Sequence, residues 1–240
     1  MTTQPYLPKN AGPVDWMGPE SYPYAVSGLI HCVQLPRDAD PDNLVPAIVM
    51  VHGWGGNESV MWIFKQTLPP NVAVITPRAP LDLGEAGYAW YLRDEVIRLP
   101  DPTTQRKAIT QLEHFVTALP ELYPVDPNRF LLMGFSQGGA IINNLVMSRP
   151  VLAMGVASLA GFIPRFPDSL TPVDSLAGFP VFIAHGTRDE IVPLSAARQT
   201  RERYEQLGAA VTYGEYDVGH KMNVKAMNDL KAWLAKVIGA

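Results

Sequence analysis

The stretch from residue 128 to residue 147 constrains the fold more than any other part of the chain. A short, uninterrupted apolar run ends at Gly134, and a second apolar run follows with the spacing of one helix face. The corner between the two runs reads G-F-S-Q-G over residues 134–138. The pattern predicts a strand buried on both faces, a sharp turn that carries Ser136, and a helix.

A serine between two glycines at such a corner is the arrangement that exposes a nucleophilic hydroxyl group. Ser136 is expected to adopt a strained backbone conformation, in a turn too crowded for side chains at 134 and 138. On its own a G-x-S-x-G string is a weak signal, because glycine is common. The strand before it and the helix after it provide the context that the motif requires. We therefore expect Ser136 to be catalytic.

Length and composition indicate how the chain is organised. With 240 residues, 47% of them hydrophobic, we expect a single domain over residues 1–240. Predicted strands and helices alternate, which is typical of an α/β fold with a mostly parallel sheet flanked by helices. Residues 1–25 are rich in Pro, Gly and Tyr and are expected to form an N-terminal surface arm, with an edge strand near residues 22–26.

Charge and cysteine content exclude several kinds of protein. The net charge is -4 and Lys and Arg are scattered, so no basic surface for nucleic acid or an anionic membrane is expected. Cys32 is the only cysteine, which excludes an internal disulfide and a thiolate metal cluster. The first residues lack a basic start and an apolar run, and no run of about 18 apolar residues occurs. We expect a cytoplasmic protein without stable membrane insertion.

A glycine-rich loop, H-G-W-G-G-N over residues 52–57, follows the buried strand predicted at residues 47–51. Backbone N–H groups in such a loop can point at a developing oxyanion, and its place ahead of the serine motif suits that role. A plain turn before the helix predicted near residues 58–66 is one alternative. A phosphate loop is another, but the Lys-Ser/Thr pair that it requires is missing. We favour an oxyanion hole formed by the N–H groups of Trp54 and Gln137.

Residues 81–102 have no clear period and contain the cluster Y-A-W-Y at residues 88–91. Loops longer than about 12 to 15 residues tend to be functional or disordered, and aromatic residues argue against disorder. We expect this segment to form a wall or partial lid of an acyl pocket, with Trp90 and Tyr91 binding substrate. Packing of Trp90 against the core is the alternative.

Two further residues follow predicted strands. Asp189 comes after a strand at residues 181–184, and His220 after one at residues 211–216. Because parallel strands present their carboxyl ends at one edge of a sheet, Asp189 is expected at the same edge as Ser136. Glu190 is a nearby substitute for the acid. The order Ser, Asp, His is the one that α/β-hydrolases use.

These three residues can perform nucleophilic catalysis together. A serine hydroxyl is a poor nucleophile at neutral pH, so His220 would remove its proton while Asp189 holds the imidazole in the required tautomer. His220 would then protonate a leaving alcohol or thiol, and water would release the acid. No metal or organic cofactor is needed.

From about residue 47 to the C-terminus, the motifs resemble the phospholipase/carboxylesterase family of α/β-hydrolases, which includes bacterial carboxylesterases and acyl-protein thioesterases. The shared motifs are His52-Gly53 with its glycine loop, Ala89-Trp90-Tyr91, residues 134–139, Gly161 at a strand end, His185-Gly186 leading to Asp189 and Val192-Pro193, and Gly219-His220. The resemblance implies an α/β-hydrolase fold without a large cap domain. It also implies a serine carboxylesterase acting on short to medium acyl esters, thioesters or lysophospholipids. We expect the protein to be a monomer or a homodimer.

Carried over, the resemblance makes Ser136, Asp189 and His220 the catalytic triad, with Trp54 and Gln137 at the oxyanion hole. The departures lie near the expected acyl pocket. Family loops often carry an acidic residue where this chain has Gly56-Asn57, and Leu92-Arg93 stand before Asp94, where an aspartate commonly follows the Trp-aromatic pair directly. Reaction type is therefore better defined than substrate.

Three other functions fit parts of the pattern. A dienelactone hydrolase-like enzyme shares the fold but normally has cysteine where Ser136 stands. A non-catalytic hydrolase-fold binding protein typically lacks a member of the triad, and all three candidates are present. A small peptidase would usually need a cap or a site for the substrate amine, and the sequence indicates neither.

Overall fold

The apolar runs of the sequence form the strands at the centre of the protein. The computed structural model describes residues 15–18, 21–94, 99–164 and 172–239. Its strands are β1 (Asp15–Met17), β2 (His31–Gln34), β3 (Val45–Val51), β4 (Ala73–Pro77), β5 (Leu81–Asp82), β6 (Tyr88–Ala89), β7 (Val125–Phe135), β8 (Gly155–Leu159), β9 (Pro180–Gly186) and β10 (Ala210–Tyr216). β3, β4 and β8 are buried along their whole length, as expected for strands covered on both faces.

Eight of these strands form one sheet in the order β1-β2-β4-β3-β7-β8-β9-β10. β2 runs antiparallel to both of its neighbours, and all other adjacent pairs are parallel. β5 and β6 pair with each other as a separate hairpin. The loops that follow β3, β7, β9 and β10 consequently meet at one edge of the sheet.

Helices cover both faces of the sheet. They are α1 (Tyr22–Ser27), α2 (Pro102–Leu122), α3 (Gln137–Ser148), α4 (Leu194–Gln206) and α5 (Val224–Ile238), with short 3-10 helices at Val60–Thr67, Gly84–Ala86 and Pro150–Leu152. α2, α3 and α4 pack on one face, whereas α5 and the first 3-10 helix pack on the other. This is the predicted α/β-hydrolase architecture, and the described residues contain no large cap domain. No helix among them is long and apolar enough to span a membrane.

The N-terminal region differs from its prediction. Residues 22–26 were expected to form an edge strand, but they lie in α1, which has Pro23 in its first turn and ends at Gly28 with φ of +74°. Alternating aromatic residues resemble a strand pattern, whereas a proline near the start and a left-handed glycine after the end define a helix. Residues 1–14 and 19–20 of the predicted arm lie outside the described residues.

Two other elements are more regular or tighter than expected. The helix predicted near residues 58–66 is the 3-10 helix Val60–Thr67. The segment 81–102, which has no clear period in the sequence, contains the β5–β6 hairpin. An isolated bridge joins Tyr88 of that hairpin to Gly56 of the glycine loop. The hairpin therefore supports the loop that follows β3.

Candidate active site

Ser136 occupies the turn between β7 and α3. Its φ of +53° and ψ of -117° are a conformation that residues other than glycine rarely adopt. A Cβ atom added at Gly134 would lie 2.5 Å from the carbonyl carbon of Gly138, and one added at Gly138 would collide with the Val51 carbonyl oxygen. The turn is thus possible only with glycine at both positions, and it lifts the serine side chain away from the strand and the helix.

A short hydrogen bond joins His220 and Asp189 at this edge of the sheet. The Nδ1–H of His220 donates to Oδ2 of Asp189 at 2.7 Å, while Oδ1 accepts the N–H groups of Ile191 and Val192, each at 2.9 Å. Burial raises the pKa of Asp189, but the hydrogen bonds from Val192, His220 and Ile191 outweigh it, so the pKa lies below its ordinary value. Asp189 is therefore a carboxylate that holds His220 in the Nδ1–H tautomer.

The structure brings Ser136 and His220 to one cavity wall. Both line a cavity of about 460 Å³, and the imidazole ring of His220 packs on Phe135 with ring centroids 5.0 Å apart. With Nδ1 engaged by Asp189, Nε2 of His220 is the ring nitrogen that remains to accept a proton. Within the described parts of the chain, the Ser136 hydroxyl has no hydrogen-bond partner. Of the three predicted triad residues, only His220 and Asp189 are hydrogen-bonded to each other in this structure.

His52 fixes the orientation of the predicted oxyanion loop. Its Nε2 accepts the N–H of Ala79 at 2.9 Å, so the ring proton is on Nδ1, which donates to the Gly53 carbonyl oxygen at 2.7 Å. In a trans peptide the C=O and the following N–H point in opposite directions, so the Trp54 N–H is directed away from His52. Burial lowers the pKa of His52 to about 4, which keeps the ring neutral at neutral pH and preserves the bond from Ala79.

Two N–H groups lie where the oxyanion hole is predicted. Trp54 follows the peptide that His52 holds, and Gln137 is the first residue of α3. In residues 15–18, 21–94, 99–164 and 172–239, no acceptor takes up either N–H group. The glycine loop passes close to the serine, because a Cβ atom at Gly53 would lie 3.2 Å from the Cβ of Ser136.

The side chains of Gln137 and Trp90 together connect three parts of the site, a role that the sequence did not reveal. Its Oε1 accepts the backbone N–H of Trp90 and its Nε2 donates to the carbonyl oxygen of Tyr91, both at 2.8 Å. The indole N–H of Trp90 donates to the carbonyl oxygen of His52 at 2.9 Å. These hydrogen bonds join the start of α3 to residues 90–91 and to the glycine loop that begins at His52.

These contacts correct the expected role of Trp90. Its side chain is 0% exposed and does not line either cavity beside Ser136. A substrate in this structure would not reach the indole. Trp90 packs against the core instead, which was the alternative interpretation. Tyr91 is also largely buried but lines the second cavity beside Ser136.

A buried ion pair supports the glycine loop from its other side. The guanidinium group of Arg78 donates to both carboxylate oxygens of Glu58 at 2.6 Å and lies 4.6 Å from the ring centroid of Tyr88. Tyr88 in turn exchanges backbone hydrogen bonds with the glycine loop, accepting from Gly55 at 2.9 Å and donating to Gly56 at 3.0 Å. The loop is therefore held on both sides before any ligand arrives.

Two cavities meet at Ser136 and Trp54, which line both of them. The one that includes His220, here called the apolar cavity, is lined mainly by Val60, Met61, Ile63, Phe64, Met222 and Met227. The other, here called the polar cavity, has a volume of about 340 Å³ and carries Tyr91, Arg93, Gln137 and Glu190 on its walls. The site thus offers two chemically different compartments on either side of one serine.

Comparison with known proteins places the chain among hydrolases. A model of the phospholipase/carboxylesterase family matches residues 38–238. Acyl-protein thioesterase 1 of Debaryomyces hansenii is 27% identical over 204 residues, covering 76% of this chain and 85% of that protein. Carboxylesterase SOBER1 of Arabidopsis thaliana is 22% identical over 209 residues, covering 79% and 89%.

Solved structures show the same fold. The Bacillus cereus carboxylesterase superposes with a TM-score of 0.79 at 23% identity, covering 90% of this chain and 98% of that one. The family match spans more than half of the sequence and includes every motif on which the resemblance rests. The chain belongs to the phospholipase/carboxylesterase family of α/β-hydrolases.

Proposed function

We propose that the protein is a serine carboxylesterase that hydrolyses short to medium acyl esters, thioesters or lysophospholipids through an acyl-enzyme intermediate. One observation carries the proposal: a histidine bonded at 2.7 Å to a buried carboxylate shares a cavity wall with a serine in a strained turn. Strain at a serine that lines a cavity, beside a histidine in a fixed tautomer, is typical of nucleophilic catalysis. The substrate that we propose is a small-molecule acyl ester.

In the first step Oγ of Ser136 attacks the substrate carbonyl carbon while Nε2 of His220 takes the hydroxyl proton. A bond forms between Oγ and carbon, and the carbonyl π electrons move to the oxygen. Asp189 remains a carboxylate and stabilises the imidazolium that forms. Hydrogen bonds between nucleophile and base are often long before substrate binds, which accommodates the unpaired Ser136 hydroxyl.

The new oxyanion is stabilised by the N–H groups of Trp54 and Gln137. Gln137 also stands at the N-terminus of α3, where the helix dipole favours negative charge. One missing donor of this kind typically lowers kcat about 10² to 10³-fold. The contact from His52 to the Gly53 peptide therefore has a direct catalytic consequence.

Collapse of the intermediate breaks the bond from carbon to the leaving oxygen or sulfur, and His220 supplies that atom with its proton. Water then attacks the acyl-enzyme with His220 as base, which releases the acid and restores Ser136. The named relatives, a thioesterase and a carboxylesterase, support both oxygen and sulfur leaving groups for this proposal.

The alternative enzymes and the binding role have less support. Dienelactone hydrolase-like chemistry would use a cysteine nucleophile, but Cys32 lies buried in β2, where burial raises the pKa of its thiol to about 12. A pure binding protein would not need the Asp189–His220 contact. We retain the carboxylesterase as the proposal.

The test is turnover of p-nitrophenyl esters from acetate to long acyl chains by wild type and Ser136→Ala. We expect the variant to lose at least about 10⁴-fold in kcat, because the nucleophile is gone, while its circular dichroism stays unchanged. Ser195→Ala, an exposed serine in α4, is the matched control. Wild-type rates in Ser136→Ala would disprove the assignment, and the preferred acyl length would measure the pocket.

A cytoplasmic location and a monomeric or homodimeric state belong to the same proposal. Cell fractionation with an antibody against the protein tests the location. Size-exclusion chromatography with light scattering tests the oligomeric state, with 26.3 kDa expected for the monomer.

A further inference from the structure

The position of His220 decides which cavity receives which half of an ester. The leaving atom must take its proton from His220, and the imidazole lines the apolar cavity beside Phe135 but does not line the polar cavity. The leaving group therefore occupies the apolar cavity. The acyl group, on the other side of the carbonyl carbon, points into the polar cavity.

The polar cavity carries a half-buried arginine at its wall. The guanidinium group of Arg93 lies 4.6 Å from the ring centroid of Trp54, which together with Ser136 lines both cavities. A guanidinium group stacked on an indole keeps its N–H groups at the edges, where they can bind a carboxylate in bidentate fashion. Trp54 thereby fixes Arg93 beside the reacting centre.

Several arginines of the protein are neutralised by an acid, and Arg93 differs from them. Arg78, Arg149, Arg188 and Arg198 each form an ion pair with a carboxylate. Within the described part of the chain, no carboxylate lies at ion-pair distance from Arg93. Its positive charge is therefore available to a ligand in the polar cavity.

Glu190 also lines this cavity and has to be weighed against Arg93. It is exposed, so water screens its charge, whereas Arg93 is half-buried and stacked. A ligand in this cavity meets a guanidinium group that is held against Trp54. The positive group is thus the stronger determinant of what binds.

We propose that Arg93 selects acyl groups that end in a carboxylate, so that the preferred substrates are half-esters of short dicarboxylic acids with an apolar alcohol. This inference rests on the proposed function. Hydrolysis of such a half-ester breaks the acyl C–O bond, consumes one water, and yields the dicarboxylate and the alcohol. The bidentate, charge-assisted contact would hold the distal carboxylate while the ester carbonyl meets Ser136.

The experiment compares three benzyl esters that share one leaving group and nearly one acyl length. Monobenzyl glutarate carries a distal carboxylate, benzyl 4-carbamoylbutanoate carries a neutral amide, and benzyl 5-aminopentanoate carries an ammonium group. Release of benzyl alcohol is followed by chromatography. For wild type we expect kcat/KM of the carboxylate ester to exceed that of the amide ester about tenfold, and the advantage to shrink as NaCl concentration rises.

Variants at Arg93 test whether that residue is responsible. Arg93→Gln should remove the tenfold ratio, and Arg93→Lys should keep part of it, because the charge remains without the planar fork. Arg37→Gln makes the same change in net charge at an exposed residue beyond the carboxyl end of β2. Since β2 is antiparallel to β4, Arg37 lies toward the opposite sheet edge, and the ratio should persist in this variant.

The outcomes separate the two proposals. Equal rates for the carboxylate and amide esters in wild type would overturn the role of Arg93 and leave the esterase standing. Preference for the ammonium ester would also overturn it, in favour of Glu190. If wild type hydrolysed none of the three esters and no p-nitrophenyl ester, the esterase itself would fail and this inference with it.

Discussion

The same dipeptide stands at the ends of β3 and β9, and it works differently at each place. His52-Gly53 begins the glycine loop for which we propose an oxyanion role, and His185-Gly186 precedes the loop that carries Asp189. Both histidines are fully buried, and burial lowers the pKa of each. At each strand end, a neutral histidine organises the backbone that follows it.

The two histidines differ in how completely they are bonded. Both ring nitrogens of His52 have partners, and it holds a peptide next to itself. His185 donates from Nε2 to the Val192 carbonyl oxygen at 2.9 Å and lies 3.4 Å from Oδ2 of Asp189. Its Nδ1 is buried without a partner among the described residues.

The groups that they serve are supported to different degrees. Asp189 accepts hydrogen bonds from Ile191, Val192 and His220 in addition to its contact with His185. The Gly53 carbonyl oxygen is held by His52 and by the N–H of Gly56 at 3.1 Å. The comparison teaches that several groups hold the carboxylate of Asp189, whereas the Gly53–Trp54 peptide depends mainly on the side chain of His52.

The largest effect is expected from the acid itself. Asp189→Asn should lower kcat/KM for p-nitrophenyl butyrate about 10⁴-fold, because an amide cannot hold His220 in the required tautomer. Asp217→Asn, at an exposed aspartate on the neighbouring loop, should retain wild-type rates. A loss of less than about tenfold in Asp189→Asn would show that Asp189 is not the catalytic acid.

His52 is expected to matter next. His52→Ala should lower kcat about 10²-fold with little change in KM, because the freed Gly53–Trp54 peptide no longer presents its N–H to the oxyanion. His52→Asn should recover part of the loss, since its amide N–H can replace the Nδ1 donor. A transition-state analogue such as an alkyl boronic acid should lose affinity in parallel with kcat, which a general loss of packing would not produce.

His185→Ala is the matched arm of that experiment. Removing one of several supports of Asp189 should cost no more than about tenfold in kcat, and the inhibition constant of the boronic acid should change less than in His52→Ala. Equal losses of kcat in His185→Ala and His52→Ala would contradict the contrast between the two strand ends. They would indicate that His185 is as necessary for holding Asp189 as His52 is for holding the Gly53–Trp54 peptide.

Residues placed by chain geometry were predictable from the sequence. Ser136 stands at a corner that its flanking glycines identify, and Asp189 and His220 follow strands whose carboxyl ends share one edge of the sheet. The structure brings these three to that edge. Local pattern sufficed there because strand ends fix where the next residues lie.

Residues that act through distant partners were not predictable. His52 depends on the N–H of Ala79, 27 residues away, and Gln137 bonds the backbone at Trp90 and Tyr91, 47 and 46 residues away. No periodicity encodes such contacts, because they arise only when separate elements pack. For the same reason Trp90 could be expected at a pocket when its indole in fact lies beneath the oxyanion loop.

The smallest expected effect is on stability in acid, and it tests the surroundings of His52 directly. The pKa of His52 is about 4 in the folded protein and 6.5 when unfolded, so between these pH values the unfolded chain binds the additional proton. Stability is therefore lost as pH falls through this window, by about 2 kcal/mol from His52 between pH 7 and pH 5. Urea unfolding at the two pH values measures the loss.

His52→Asn should be less stable than wild type at pH 7 and should lose about 2 kcal/mol less on going to pH 5, because it has no imidazole to titrate. His185→Asn should flatten the dependence in the same direction, since burial also lowers the pKa of His185. An unchanged pH dependence in His52→Asn would mean that folding does not lower the pKa of His52, so that the ring also gains its proton by pH 5 in the folded protein. At pH 5 the hydrogen bond from the Ala79 N–H would then be lost, and the Gly53–Trp54 peptide would need another support.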